Sequence, residues 1–202
     1  SARGYEQAHT LRMHAFPAEG VSPGGSAPSL KALQAANVVW SSPHTRAVQT
    51  AIGGLLPLWQ GPEPVPTLRI CPLVREHKGS LGRDNVGAAK GAGVLTRAVR
   101  QLGELPKQTR PEEGDLAAMG SVKHDKSEVE GKWWTRSRQE TAKSARGRAK
   151  ALLAELQASE HETLVVVSHS HFLRAVFSEG LIDGACTPDV RAVLMETKVP
   201  NC

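Results

Sequence analysis

Cysteine is scarce in this 202-residue chain: there are three, Cys71, Cys186 and Cys202. They are odd in number, widely spaced and never in a C-x-x-C pair, which excludes a disulfide framework and a zinc ribbon. A reducing compartment, the cytoplasm or another like it, is the expectation. No apolar run approaches the length of a membrane span, and nothing at the amino end reads as a signal peptide. The first residue is not Met, so the expectation is a chain that is processed, tagged or cut from a longer parent. No internal repeat is found. The histidine pair in "SHSH", residues 168 to 171, lacks the H-E-x-x-H spacing of a metal site. It also lacks the flanking glycines of a nucleophile elbow, so a serine hydrolase acting through Ser168 or Ser170 is not expected.

What remains is 40% hydrophobic and 22% charged, enough for one α/β domain over 1–202 with a core of its own. Lys and Arg exceed Asp and Glu by 25 to 20, a mild general attraction for anions. Much of the excess sits in "KWWTRSRQETAKSARGRAK", residues 132 to 150, where seven Lys or Arg accompany one Glu. No RNA- or DNA-binding motif accompanies it, so the stretch is read as a solvated helix face, with Trp133 and Trp134 packing, and nucleic acid is not an expected partner.

The pattern of the chain is strand, turn, helix. In "TLVVVSHSHFLRAVF", Leu164 to Val167 form a buried strand, and the apolar residues from Phe172 onward recur at helical spacing. Residues 168 to 171 are then a strand-to-helix turn. "AANVVWSSPHTRAVQTAIGGLLPLW" repeats the pattern, with a strand at Asn37 to Trp40 and a helix predicted from about Pro43 to Leu58. A third, Pro-punctuated strand in "PVPTLRICPLVREHKG" exits at Arg75, Glu76 and His77. Residues 79–131 are Gly-rich, charged and weakly periodic apart from a helical stretch near Gly93 to Leu102, and they are read as an insertion covering the sheet. A long helix is predicted over Lys132 to Gln157, with Ala149, Leu152, Leu153 and Leu156 as its apolar stripe. The alternation implies a mostly parallel sheet flanked by helices.

Turns at the carboxyl ends of parallel strands line ligand crevices, and the free N–H groups at helix starts favour anions, commonly phosphate. Arg46 and His169 stand at two such junctions and Glu76 at a third strand exit. Together they suit phosphoryl transfer, which needs cations on the nonbridging oxygens and an acid for the leaving oxygen.

"SSPHTRAVQTA" at 41–51, "REHKG" at 75–79 and "VVVSHSHFLRAVF" at 165–177 together resemble the histidine phosphatase superfamily, also called phosphoglycerate mutase-like. The Trp pair and Arg-rich stretch of 132–156 resemble its plant and fungal branch. The resemblance implies a doubly wound α/β fold, a small phosphorylated substrate and no metal or other cofactor. It further implies that a histidine attacks phosphorus and that water hydrolyses the phosphohistidine. Arg46 and His169 would hold the phosphoryl oxygens, and Glu76 would serve as general acid and then base. The family's nucleophile follows an Arg at the end of the first strand. In "SARGYEQAHT" that histidine aligns with Ser1 or with a position just before it, and "VPNC" resembles the start of the last core strand. The expectation is therefore a fragment, lacking its first strand and part of its last, of a phosphomonoester hydrolase or a mutase. The alternative is an inactive phosphate-binding or scaffold protein.

Overall fold

Val38–Ser41 (β1) is buried at every position, which an isolated strand cannot achieve and a strand covered on both faces must. The computed structural model describes residues 1–17, 28–77, 91–131, 133 and 139–180, and in it β1 lies between two parallel neighbours. On one side it pairs with Thr67–Ile70 (β2), Val39 opposite Leu68. On the other it pairs directly with Leu164–Val167 (β4), Val39 opposite Val165. The short strand His124–Asp125 (β3) adds to the outer edge of β2, giving the order β3-β2-β1-β4 with every described pairing parallel.

Side chains alternate along these strands and so build two cores. Val39, Leu68 and Ile70, with the edge residues Val165 and Val167, face Val48, Ile52, Leu55, Leu95 and Leu102. Those partners come from Thr45–Gly54 (α3), from its C-cap Leu55 and from Val94–Gly103 (α5), beside Glu113–Gly120 (α6). Ala2–Ala15 (α1) lies against α3, with a Cβ on Gly53 or Gly54 meeting Tyr5 or Leu11 at 3.3 and 3.1 Å. Those two glycines let the helices approach closely. On the other face, Val38 and Trp40 meet Leu152 and Ala149 of Ala142–Gln157 (α7) and Phe172 and Val176 of Ser170–Gly180 (α8). The sheet is thus wound on both faces, as an α/β alternation requires. Pro28–Gln34 (α2) and Pro57–Gln60 (α4) complete the described helices.

Three expectations change. The helix predicted over Pro43 to Leu58 begins at Thr45, with His44 as N-cap, and breaks after Gly54, since the Gly53–Gly54 pair and Pro57 weaken its continuation. The long helix starts at Ala142 instead of Lys132, because the Thr141 hydroxyl accepts the Ser144 N–H at 3.1 Å and caps it there. Its predicted apolar stripe is as read, with Leu153 and Leu156 packing beside Ala149 and Leu152. Residues 91–131, read as part of a cover, lie on the sheet and also extend it through β3. Residues 78–90, Trp134 with 135–138, and 181–202 with Cys186, Cys202 and "VPNC" lie outside the described residues.

The edge is pinned by Arg69. Its guanidinium lies 4.4 Å over the Trp40 ring and pairs at 2.5 Å with both Glu128, beside β3, and Glu155 of α7. The three groups tie strand, edge turn and helix at the amino ends of the strands, leaving the carboxyl ends for chemistry.

Candidate functional site

At those carboxyl ends the chain leaves β1, β2 and β4 in three neighbouring turns. Ser42 follows β1 and is wholly buried, its N–H donating to Val167 O at 3.0 Å. Its Oγ accepts the His44 N–H at 3.3 Å and is hydrogen-bonded with His169 Nε2 at 2.8 Å. One hydroxyl therefore joins the β1 and β4 turns. The rings of His44 and His169 meet edge to face, centroids 5.1 Å apart, and His44 in turn meets Trp133 at 5.9 Å.

The carboxylate of Glu76 lies among basic side chains. Its Oε1 accepts the His77 N–H at 2.8 Å. Its Oε2 lies 3.7 Å from Arg46 Nη2, 3.8 Å from His169 Nδ1 and 3.9 Å from His171 Nδ1. The three residues expected at the site, Arg46, Glu76 and His169, are thus brought together by three different strand exits. His171, at the end of the predicted strand-to-helix turn, sits there too, with its side chain exposed. Arg46 is half-exposed and Glu76 mostly buried, so the cluster opens on Arg46 and His171 and closes on His169.

Burial dominates His169. Desolvation first, then the charges of Arg46, His44 and Arg148, push its pKa down to about 2. The resting ring is neutral, so its approach to Glu76 is a carboxylate beside an uncharged imidazole and not an ion pair. The consequence for stability has a definite sign. The unfolded imidazole binds its proton near 6.5, the folded one only near 2, so between those values the unfolded chain holds more protons. Stability contributed by this group is complete above pH 6.5 and is lost as the pH falls below it. We expect urea midpoints measured from pH 5 to pH 8 to show His169→Gln removing up to about 1.4 kcal/mol per pH unit of acid sensitivity below pH 6.5. An unchanged acid limb in the variant would mean that His169 is protonated in the folded protein.

Sequence reasoning missed Ser42 and His44, which the Ser-Ser-Pro-His turn could have flagged by its position after a buried strand. It also misread the basic stretch. Lys143, Arg146 and Lys150 are exposed as expected, but Arg148 and Glu140 are buried partners, joined at 2.9 and 2.7 Å. Trp133 packs against the core, as read. A cavity of about 500 Å³ near Trp40, Arg69, Glu155 and His161 belongs to the amino ends of the strands and is not part of this cluster. Among the described residues no group of His, Cys, Asp and Glu has the arrangement of a metal site, and no helix is long and apolar enough to cross a membrane.

Residues 98–185 match the family model described as histidine phosphatase superfamily (branch 1). That segment, somewhat less than half of the chain, is therefore similar to the histidine phosphatase superfamily, a class whose activities include phosphatases and mutases. The parallel, doubly wound sheet is consistent with that family's fold. The matched segment contains Glu140, Arg148, Ser168, His169 and His171 and leaves Arg46 and Glu76 outside it. No curated protein and no solved structure gives a significant match.

Proposed function

We propose that this domain is the phosphate-binding body of a phosphomonoester hydrolase that works through a phosphohistidine. The observation that carries the reading is the convergence of Arg46, His169 and Glu76 from three strand exits within 4 Å of one carboxylate oxygen. Arg46 stands on the first turn of α3, whose start has no side-chain cap hydrogen bond, so the guanidinium lies at the positive end of that helix's dipole. A phosphoryl group placed there meets a charged fork, helix N–H donors and the His169 ring. A dianion arriving beside Glu76 is repelled unless a proton accompanies it, so binding and proton uptake are linked.

The phosphoryl acceptor in this proposal is the family's amino-terminal histidine, which the resemblance aligns with Ser1 or the position before it. Its ring nitrogen forms the N–P bond as the ester P–O bond breaks, and Glu76 delivers the proton to the departing alkoxide. Glu76, now a carboxylate, then takes a proton from the water that cleaves N–P. Positive charge comes from Arg46, from His169 once protonated and from helix ends.

The test uses Glu76→Gln in a protein with that histidine present. Gln keeps size and hydrogen bonding but has no proton to give. Phosphorylation of the enzyme by alkyl phosphates in a single turnover should fall by about a hundredfold or more, and by much less with nitrophenyl phosphate, whose leaving group departs without help. Equal losses for the two would remove Glu76 as the acid. The 202-residue chain should itself bind inorganic phosphate or vanadate, since Arg46 and His169 are both in it.

A further inference from the structure

The stretch that presents Glu76 has its carbonyls captured one after another. It leaves β2 through a short 3-10 turn, Pro72–Val74, and belongs to no helix or strand where Glu76 emerges. Arg148 Nη1, from α7, donates to Leu73 O and to Arg75 O, each at 2.8 Å. The hydroxyl of Ser168, from the β4 exit, donates to Val74 O at 2.7 Å. Three consecutive carbonyls directly ahead of Glu76 are therefore bound by side chains from two other elements.

The donor is itself fixed. Arg148 Nε and Nη2 grip the two oxygens of Glu140 at 2.9 and 2.7 Å, and its guanidinium lies 3.8 Å over the buried Phe172 ring at the start of α8. Arg75 closes the circle, donating to Pro72 O at 3.1 Å and to Glu140 Oε1 at 3.2 Å. A planar fork held on one edge by a buried carboxylate and on one face by an aromatic ring has almost no freedom, so the carbonyls it binds have little either. Ser168 precedes His169 by one residue, so the same contact sets the β2 exit against the β4 exit.

We propose that Arg148 and Ser168 are positioning residues that hold Glu76 in register with His169, with Glu140 orienting Arg148. They touch no substrate; they act through the backbone of residues 73–75. The inference rests on the phosphate-site reading above, because only there does the placement of Glu76 have a chemical consequence.

The test compares wild type, Ser168→Ala, Arg148→Lys, Glu76→Gln and Ser168→Ala/Glu76→Gln in the 202-residue chain. The first readout is amide exchange at Arg75, whose N–H bonds Pro72 O, and at His77, whose N–H bonds Glu76 Oε1. Exchange at both should quicken by about tenfold in Ser168→Ala, the loss of one well-made hydrogen bond, with α7 unaffected. The second is inorganic phosphate affinity from pH 5 to pH 8, compared between variants at each pH so that the anion's own ionisation cancels. Glu76→Gln should raise the affinity at each pH by removing a negative charge beside the anion, Ser168→Ala should move it at least halfway towards Glu76→Gln, and the double variant should match Glu76→Gln alone. If Arg148→Lys does not fold, Ser168→Ala carries the comparison. Unchanged exchange, or faster exchange with a wild-type pH profile, overturns the positioning role. A wild-type chain that binds no phosphate overturns the functional reading, and this inference with it.

Discussion

Replacing Arg148 by alanine is expected to destabilise the domain by about 3–5 kcal/mol, the cost of breaking a buried ion pair from one side. Glu140 is almost wholly buried and takes two of its bonds from Arg148, so the variant removes the stronger part of its pairing and leaves it the longer contact with Arg75. The loss is compounded at Leu73 and Arg75, whose carbonyls lose their donor, and at Phe172, which loses the guanidinium stacked on it. Urea unfolding at pH 7 checks it. The contrast that identifies the cause is Glu140→Gln/Arg148→Met, which removes both charges and should recover at least half of the loss, since neutralising a buried pair costs less than breaking it. A single variant within 1 kcal/mol of wild type, a bound set by the usual range of surface substitutions, would place Arg148 in water.

The second large effect concerns binding. Arg46→Ala should lower kcat/KM for phosphomonoesters by about a hundredfold, on the order of 3 kcal/mol, in a protein that has the attacking histidine, because a charge-assisted fork on the phosphoryl oxygens is lost. Its fold should survive, since the side chain is half-exposed and points into the cluster from the first turn of α3. Arg46→Lys should recover only part of the rate: an ammonium keeps the charge but cannot fork. Steady-state rates on a small panel of esters, with thermal melts as the control for folding, decide the matter. A rate equal to wild type would remove Arg46 from the site.

Both effects depend on features of unequal legibility in the sequence. The strands around Val38–Ser41 and Leu164–Val167 were legible because runs of three and four apolar residues, mostly β-branched, have few other uses, and the turns after them followed from the helical spacing beyond. Arg46, Glu76 and His169 could be placed at a common end of the sheet by the alternation alone, since parallel strands put all their exits on one side. Arg148 was not legible. In sequence it is one basic residue among seven, and nothing local separates it from Arg146 or Lys150. Its role comes from Glu140, Leu73, Arg75 and Phe172, which lie far along the chain or across the N-cap at Thr141. For Ser42 the turn after a buried strand marks the position but not the partner: the histidine 127 residues later on its hydroxyl is seen only in the fold. Tertiary bonds of this kind leave no periodic trace.

The neutral state of His169 connects stability with function. Burial that keeps the ring uncharged in the resting protein also makes it sensitive to an arriving anion, since a dianion beside a desolvated imidazole favours the imidazolium. Phosphate should therefore stabilise the fold and draw a proton onto His169 together.

The most direct measurement follows the imidazole signals of the 202-residue chain by NMR as inorganic phosphate is added at pH 7. The strand-exit site predicts a saturable shift of His169 towards the protonated form, absent in Arg46→Ala, with His161 at the opposite end of the sheet unmoved. Saturable shifts confined to His161, or none at His169 at any phosphate concentration, would contradict a phosphate site at the carboxyl ends of these strands.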